Sequence, residues 1–176
     1  MANTYTLIAS STVGSGGAAS IDFTSIPSTY TDLCLVASMR TTYSGSSDEQ
    51  IKIQYNGSTT GYSDRILYAY GGTNKGSATR TGATGTDDFS AVAAGATAST
   101  FSNNQLYIPN YAGSNYKSYS YDVTDESNSS TQGWMDLGAG LWSNTAAITS
   151  IKLSTIQSGS LFVQYSTAYL YGVKNA

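Results

Sequence analysis

The chain has 176 residues, of which only 11% are charged, and its formal net charge is −3 with no histidine. Its eight Lys and Arg residues are scattered singly, so there is no basic stripe to neutralise phosphates or attract anionic lipids. These features predict one domain that binds neither nucleic acid nor a membrane. Its surface is predicted to be polar through Ser, Thr, Asn and Gly rather than through charge.

Short segments that alternate apolar and polar residues follow one another along the chain, separated by turn-forming residues. No apolar i, i+3, i+4, i+7 pattern persists for three turns, which argues against helix. The predicted strands are 4–10, 18–24, 32–42, 50–56, 65–70, 88–93, 103–109, 117–125, 133–142, 147–156 and 161–173. The pattern predicts an all-β fold, a jelly-roll-like antiparallel β-sandwich that spans residues 1–176 as a single domain.

Two segments indicate which side chains face the core. Residues 51–55 alternate apolar with polar side chains up to the turn signal Asn56-Gly57, which predicts a half-buried strand. In 117–123 the apolar residues, Tyr119 and Tyr121 among them, share one face and polar residues share the other. Such a strand has one face in the core and one in water.

The segment 33–37, Leu-Cys-Leu-Val-Ala, is apolar on both faces. Such a strand is either covered on both sides, or its outer face meets another subunit. On the second interpretation, with the three tyrosines placed on one face of the last strand, the candidate subunit-interface residues are Leu33, Leu35, Val36, Tyr165, Tyr169 and Tyr171. Cys34 is the single cysteine, so it is predicted to be a small core residue.

The stretch 71–99 differs from the rest of the chain because it has few large apolar side chains. Residues 71–87 have none, and residues 91–99 are rich in Ala and Gly. This composition predicts a long, exposed loop region rich in Gly, Ser, Thr and Ala around 71–99. Loops of that length in a compact domain usually carry function or are mobile.

Catalytic and metal-binding patterns are missing from the sequence. The absence of histidine removes the commonest general base, the Ser-His and Cys-His nucleophile pairs and most zinc sites. The acidic pairs, such as Asp48-Glu49, occupy turn-like positions, and Asp87-Asp88 lacks the spacing of a calcium loop. The sequence therefore predicts a protein that is not an enzyme and that binds no metal or cofactor.

Fifteen tyrosines are the positive anomaly of the composition. Tyrosine offers a rigid apolar plane and a hydroxyl group, which suits protein interfaces and stacking on ligands. The candidate partner-contact residues are Tyr107, Tyr111 and Tyr116; the alternative is that tyrosine simply favours half-buried strand positions. Trp134 and Trp142 are predicted to be core residues rather than sugar-binding platforms.

Four stretches, 16–33, 108–118, 140–151 and 162–173, carry a family resemblance. The first reads Gly-Gly-Ala-Ala-Ser-Ile-Asp-Phe-Thr-Ser-Ile-Pro, and the last reads Phe-Val-Gln-Tyr-Ser-Thr-Ala-Tyr-Leu-Tyr-Gly-Val. Together they resemble small structural proteins encoded by tailed bacteriophages of marine bacteria and cyanobacteria. The resemblance spans most of the chain and departs from the family chiefly in 71–99.

The resemblance implies a virion protein, specifically a capsid decoration or cement protein. Such a protein sits as a homotrimer on the outer surface of the head, and its partner is the major capsid protein. The N-terminus has neither a basic region nor an apolar run of signal length, so synthesis in the host cytoplasm without a signal peptide is expected.

The alternative is a tail-fibre or receptor-binding module that recognises host surface glycans by Tyr or Trp stacking, with 71–99 as its recognition loop. Fibre proteins usually carry a long attachment stem, and the first predicted strand here begins near Thr4, which favours the cement interpretation. A depolymerase is the third alternative and would need a close pair of carboxylates.

Overall fold

The computed structural model describes residues 4–129 and 132–174. Over those residues the chain forms twelve strands and no helix. The strands are β1 (Tyr5–Thr12), β2 (Ser20–Phe23), β3 (Asp32–Ser38), β4 (Asp48–Tyr55), β5 (Tyr62–Tyr70), β6 (Asn74–Ala83), β7 (Thr86–Val92), β8 (Asn103–Ile108), β9 (Lys117–Asp125), β10 (Trp134–Trp142), β11 (Ile151–Thr155) and β12 (Thr167–Val173). No helix within this described part is long and apolar enough to cross a membrane.

The strands form two sheets that pack against each other. The large sheet has eight strands in the order β1-β12-β3-β8-β9-β10-β5-β6, and the small sheet has four in the order β2-β11-β4-β7. Every ladder between neighbouring strands is antiparallel. The prediction of an all-β antiparallel sandwich is therefore confirmed, and the narrower jelly-roll prediction stays a prediction.

Four strands, β9, β10, β5 and β6, continue the large sheet past β8, and we call them the extension. They occur in the chain as two pairs, one between β4 and β7 and the other between β8 and β11. The other eight strands form two rows of four, β1-β12-β3-β8 and β2-β11-β4-β7. Among those eight, successive strands lie in opposite sheets except for β4 and β7, which pair with each other.

The core lies between the two sheets and takes alternate side chains from each strand. Ile51, Ile53 and Tyr55 of β4 are each 0% exposed, and Tyr119 and Tyr121 of β9 are also buried. Both predictions of the buried face are confirmed. Burial of each large apolar side chain contributes about 1.5–3 kcal/mol, so these two strands form a substantial part of the stabilising interface.

Two glycines of β10 make room for tyrosine rings on β9. In the ladder Gly138 lies opposite Tyr121 and Gly140 lies opposite Tyr119. A Cβ atom at Gly138 would lie 2.0 Å from the Tyr121 ring, and one at Gly140 would lie 2.2 Å from the Tyr119 ring. Since these approaches are too close for real Cβ atoms, both positions require glycine while the rings stay in place.

The prediction of a loop around 71–99 is wrong over residues 74–83, which form β6. The strand predicted at 88–93 overlaps β7, which begins at Thr86. β6 is the last strand of the large sheet, and all ten of its residues are exposed or partly exposed. A ladder with β5 holds it in place, and backbone pairing of this kind needs no large apolar side chain. The turn that follows β7 is held by Arg40, whose guanidinium donates to the carbonyl oxygens of Ala96, Thr97 and Thr100.

Candidate functional site

Five of the six candidate subunit-interface residues are divided between the core and the outer face of the large sheet. Leu33 and Leu35 are 0% and 1% exposed and belong to the core cluster. Their side chains are therefore not available to a second subunit, because this face of β3 packs inside the sandwich. Val36 is partly exposed and lies directly across from Tyr169 of β12.

A continuous apolar area covers the outer face of β1, β12, β3 and β8. Cys34 is only 3% exposed there, since Tyr171 and Tyr107 lie opposite it on the two neighbouring strands. At the edge, Tyr5 packs edge-on against Tyr171 with 6.3 Å between ring centroids. We call this area the tyrosine face; it consists of Tyr5, Leu7, Val36, Tyr107, Tyr169 and Tyr171.

The remaining predicted tyrosines lie elsewhere. Tyr165 is 69% exposed but precedes β12 and has a φ angle of 72°, so its assignment to a face of the last strand is wrong. Tyr111 is buried, and its hydroxyl donates to the carbonyl oxygen of Pro27. Burial raises the pKa of Tyr111. Tyr116 is 58% exposed, so it remains available for a partner contact while Tyr111 does not.

Tyr107 is anchored at the rim of the tyrosine face by a buried carboxylate. Its hydroxyl donates to Asp32 Oδ2 at 2.5 Å, and Asp32 Oδ1 accepts from the backbone N–H of Asn110 at 2.9 Å. The hydrogen bond to Asp32 raises the pKa of Tyr107 to about 12. The ring therefore stays neutral and keeps one orientation, which suits a packing role.

A second apolar area lies on the outer face of the extension. Leu67 of β5 and Leu137 of β10 are direct neighbours across the ladder, and each is 61% exposed. Met135 is 56% exposed on the same face of β10, and a groove of about 520 Å³ is lined by both leucines. We call Leu67, Met135 and Leu137 the leucine patch.

Sequence reasoning missed the leucine patch, because the alternation in β10 is ambiguous. Met135 and Leu137 alternate with Asp136 and Gly138, and apolar side chains are ordinarily assigned to the core. Here the glycine face points inward, since it receives the tyrosine rings of β9. Glycine at every second position of a strand was the available signal, as it marks close approach by another group.

A cleft of about 180 Å³ forms where β4, β7 and β10 meet the turn after β11. Trp134 and Ile156 supply apolar surface, and Asp48, Gln50 and Gln157 supply polar groups. Trp134 is partly exposed, whereas Trp142 is 1% exposed in the core. The core prediction is therefore confirmed for Trp142 and wrong for Trp134. Trp134 lies at the opposite end of β10, and its ring packs on Tyr68 of β5.

Asp125 lies behind the cleft and is only 2% exposed. Its carboxylate accepts from Ser90 Oγ at 3.2 Å and from the backbone N–H of Trp134 at 3.0 Å. Burial, with the nearby charge of Asp48, raises the pKa of Asp125 to about 7. Two hydrogen bonds that favour the charged form do not offset this desolvation. The group is thus a buried acid that titrates near neutral pH.

The described residues contain no group of three or more His, Cys, Asp or Glu side chains that could hold a metal ion. The geometry offers two apolar areas on one sheet and a cleft with an aromatic wall. No protein-family model matches the chain. Comparison with curated proteins also gives no match. The fold and these surfaces define an all-β sandwich protein, and its family assignment stays a prediction.

Proposed function

We propose that this chain is a non-enzymatic structural protein of a phage virion, a capsid decoration protein that binds the outer head surface and stabilises the mature lattice. The observation that supports this proposal is the pair of separate apolar areas on one outer sheet face. Contiguous exposed apolar surface on a polar protein marks contact with another protein. The order of the eight strands outside the extension supports the narrower proposal that the sandwich is a jelly roll.

The leucine patch is the proposed docking surface for the major capsid protein. Arg65 is exposed beside Leu67 on β5 and lines the same groove, and Lys75 lies opposite Ala69 on the exposed edge strand. An apolar centre with cationic neighbours is complementary to a protein surface with apolar side chains and an acidic rim. The docking partner should therefore present Asp or Glu side chains around an apolar centre.

The tyrosine face is the proposed contact between copies of the chain in a homotrimer. The exposed residues of β9 that separate it from the leucine patch are polar: Ser118, Ser120, Asp122 and Thr124. Two apolar areas separated by a polar strip can bind two different partners at once. A trimer that presents three leucine patches would bind a symmetric shell by avidity, which can exceed a single contact by about 10²–10⁴-fold.

The stabilising mechanism requires no chemistry. A protein that binds only the mature lattice lowers the free energy of that state by RT ln(1 + [L]/Kd) for each occupied site. Each contact can therefore be weak as long as the trimer holds several of them together. Heat resistance of the head should rise with occupancy and reach a plateau when the sites are full.

Cosedimentation of the purified chain with mature phage heads that lack it tests the proposal, with host cells as a parallel target. The informative variant carries Leu67→Glu and Leu137→Glu, which changes net charge by −2 (two neutral residues each become −1). Lys152→Glu is the matched control, since it also changes net charge by −2 (from +1 to −1) at an exposed site on the small sheet.

Saturable binding of wild type and the Lys152 control to heads, with a gain in heat resistance, is the expected result. The double leucine variant should lose at least about tenfold in affinity, equivalent to about 1.4 kcal/mol. Binding only to cells would contradict the cement role and favour the receptor-binding alternative. Equal head binding by the double variant and wild type would contradict the docking surface.

A further inference from the structure

The cleft beside Trp134 has an aromatic wall that is held rigidly. The Trp134 ring stacks on Tyr68 with 5.7 Å between centroids and 12° between planes. On another side it packs against Tyr70 at 5.1 Å and 53°. The backbone N–H of Trp134 is also fixed by Asp125 at 3.0 Å. The indole is thus held in one orientation and remains partly exposed to the cleft.

The polar groups facing this wall are positioned by the fold. Asp48 Oδ1 accepts a hydrogen bond from Ser46 Oγ at 3.0 Å. Buried Glu49 accepts from the backbone N–H of Gln157 at 3.0 Å and from Ser160 Oγ at 2.5 Å. Glu49 is therefore a positioning residue that holds the turn after β11, and with it Gln157, against the cleft.

Two side-chain amides of the cleft make no hydrogen bond to any residue in the described part of the chain: those of Gln50 and Gln157. An amide offers both a donor and an acceptor, and a carboxylate such as Asp48 offers acceptors only. Ligand sites characteristically combine aromatic surface with a few polar groups. The combination suits a molecule with one apolar face and several hydroxyl groups.

The charge of the cleft narrows the ligand class further. Its ionisable lining residues are the acids Asp48 and Asp136, and no Lys or Arg lines it. Anionic ligands such as sialic acid or uronic acids are therefore disfavoured by repulsion. The volume of about 180 Å³ suits a single sugar ring rather than a chain of rings.

We propose that this cleft binds one ring of a neutral glycan, with the apolar face of the sugar on Trp134 and its hydroxyl groups on Gln50, Gln157 and Asp48. The proposal stands independently of the cement function, since the cleft and the leucine patch are different surfaces. It would allow the same chain to contact a capsid through one face and a neutral polysaccharide through another.

The test is a titration of the full chain with glucose, galactose, mannose and N-acetylglucosamine up to about 50 mM. N-acetylneuraminic acid is the anionic comparison. Binding is followed by tryptophan fluorescence and by saturation-transfer NMR on the sugar. The variants are Trp134→Leu and Gln157→Ala. Gln164→Ala is the matched control, since Gln164 is an exposed glutamine on a different turn. Circular dichroism verifies that each variant is folded.

At least one neutral sugar should bind saturably, and N-acetylneuraminic acid should bind at least about tenfold more weakly or not at all. Trp134→Leu should weaken the neutral sugar by at least about tenfold, Gln157→Ala by several-fold, and Gln164→Ala not at all. The proposal is overturned if no neutral sugar binds, if Gln157→Ala binds as wild type does, or if the anionic sugar binds best. Gln157 lies in an exposed turn, so its variant keeps the test valid even if the Trp134 variant fails to fold.

Discussion

Replacement of Asp125 by asparagine should stabilise this protein above neutral pH. The pKa of the buried Asp125 is raised from 3.8 to about 7, first by desolvation and then by Asp48. A folded-state pKa above the unfolded value means that the folded state holds the proton more tightly between those two pH values. Stability from this group is therefore present at low pH and is lost as pH rises from about 3.8 to about 7.

The size of the effect follows from the two pKa values. Their difference of about three pH units corresponds to about 4 kcal/mol at most, at 1.36 kcal/mol per unit. Between pH 5 and pH 8 the loss should be about 2–3 kcal/mol. Asparagine carries no charge and can still accept from the backbone N–H of Trp134. Ser90 can reverse its hydrogen bond and accept from the new amide, because a hydroxyl both donates and accepts.

Urea denaturation at pH 5 and pH 8 measures the effect as a change in the free energy of unfolding. The chain has no histidine, so few other side chains titrate in this window. Wild type should lose stability between the two pH values, and Asp125→Asn should lose markedly less. Asp122→Asn is the matched control, because it makes the same change at an exposed position on the same strand. The reasoning is refuted if Asp125→Asn loses as much stability between pH 5 and pH 8 as wild type and the Asp122→Asn control do.

Two packing predictions follow from the same core. Gly138→Ala should lower the free energy of unfolding by about 1–3 kcal/mol or more, because its Cβ would lie 2.0 Å from the Tyr121 ring. Gly14→Ala is the control and should be nearly neutral in thermal unfolding, since the space around it is open. Equal melting temperatures for the two variants would count against the placement of the Tyr121 ring. Lys117→Met should cost about 1–3 kcal/mol or more, because it leaves carbonyl oxygens that Lys117 Nζ now satisfies without a donor. Lys152→Met changes an exposed site and should alter the free energy of unfolding in urea little. A loss of similar size in both lysine variants would contradict the stabilising role of the buried Lys117 contacts.

The positions of most strands could be predicted from sequence, because period-two alternation reports a half-buried strand directly. All eleven predicted strands overlap an observed one, and β6 is the strand that was missed. Its sequence, Asn-Lys-Gly-Ser-Ala-Thr-Arg-Thr-Gly-Ala, contains no large apolar residue. An edge strand needs only a backbone partner on one side, so its side chains carry little signal of pairing.

The assignment of faces was less predictable than the assignment of strands. In β3 both faces are apolar, so sequence alone could not place Leu33 and Leu35 in the core and Val36 outside. In β10 the usual expectation is inverted, since glycines face the core and Leu137 faces outward. That inversion depends on the tyrosines of β9, which lie on a different strand, and a pattern within one strand does not contain it.

Two of the three proposed binding surfaces, the leucine patch and the cleft, depend on the extension of the large sheet. The leucine patch lies on β5 and β10, and the aromatic wall of the cleft is built from Trp134 of β10 with Tyr68 and Tyr70 of β5. The other eight strands already form two rows of four. The inner faces of β5, β9 and β10 pack on the small sheet, where Tyr62, Tyr119 and Trp142 contact Tyr55. The apolar side chains of the leucine patch lie uncovered on the outer face. Apolar residues on such a face take no part in the core of this chain. Contact with a protein partner is therefore the simplest explanation for them.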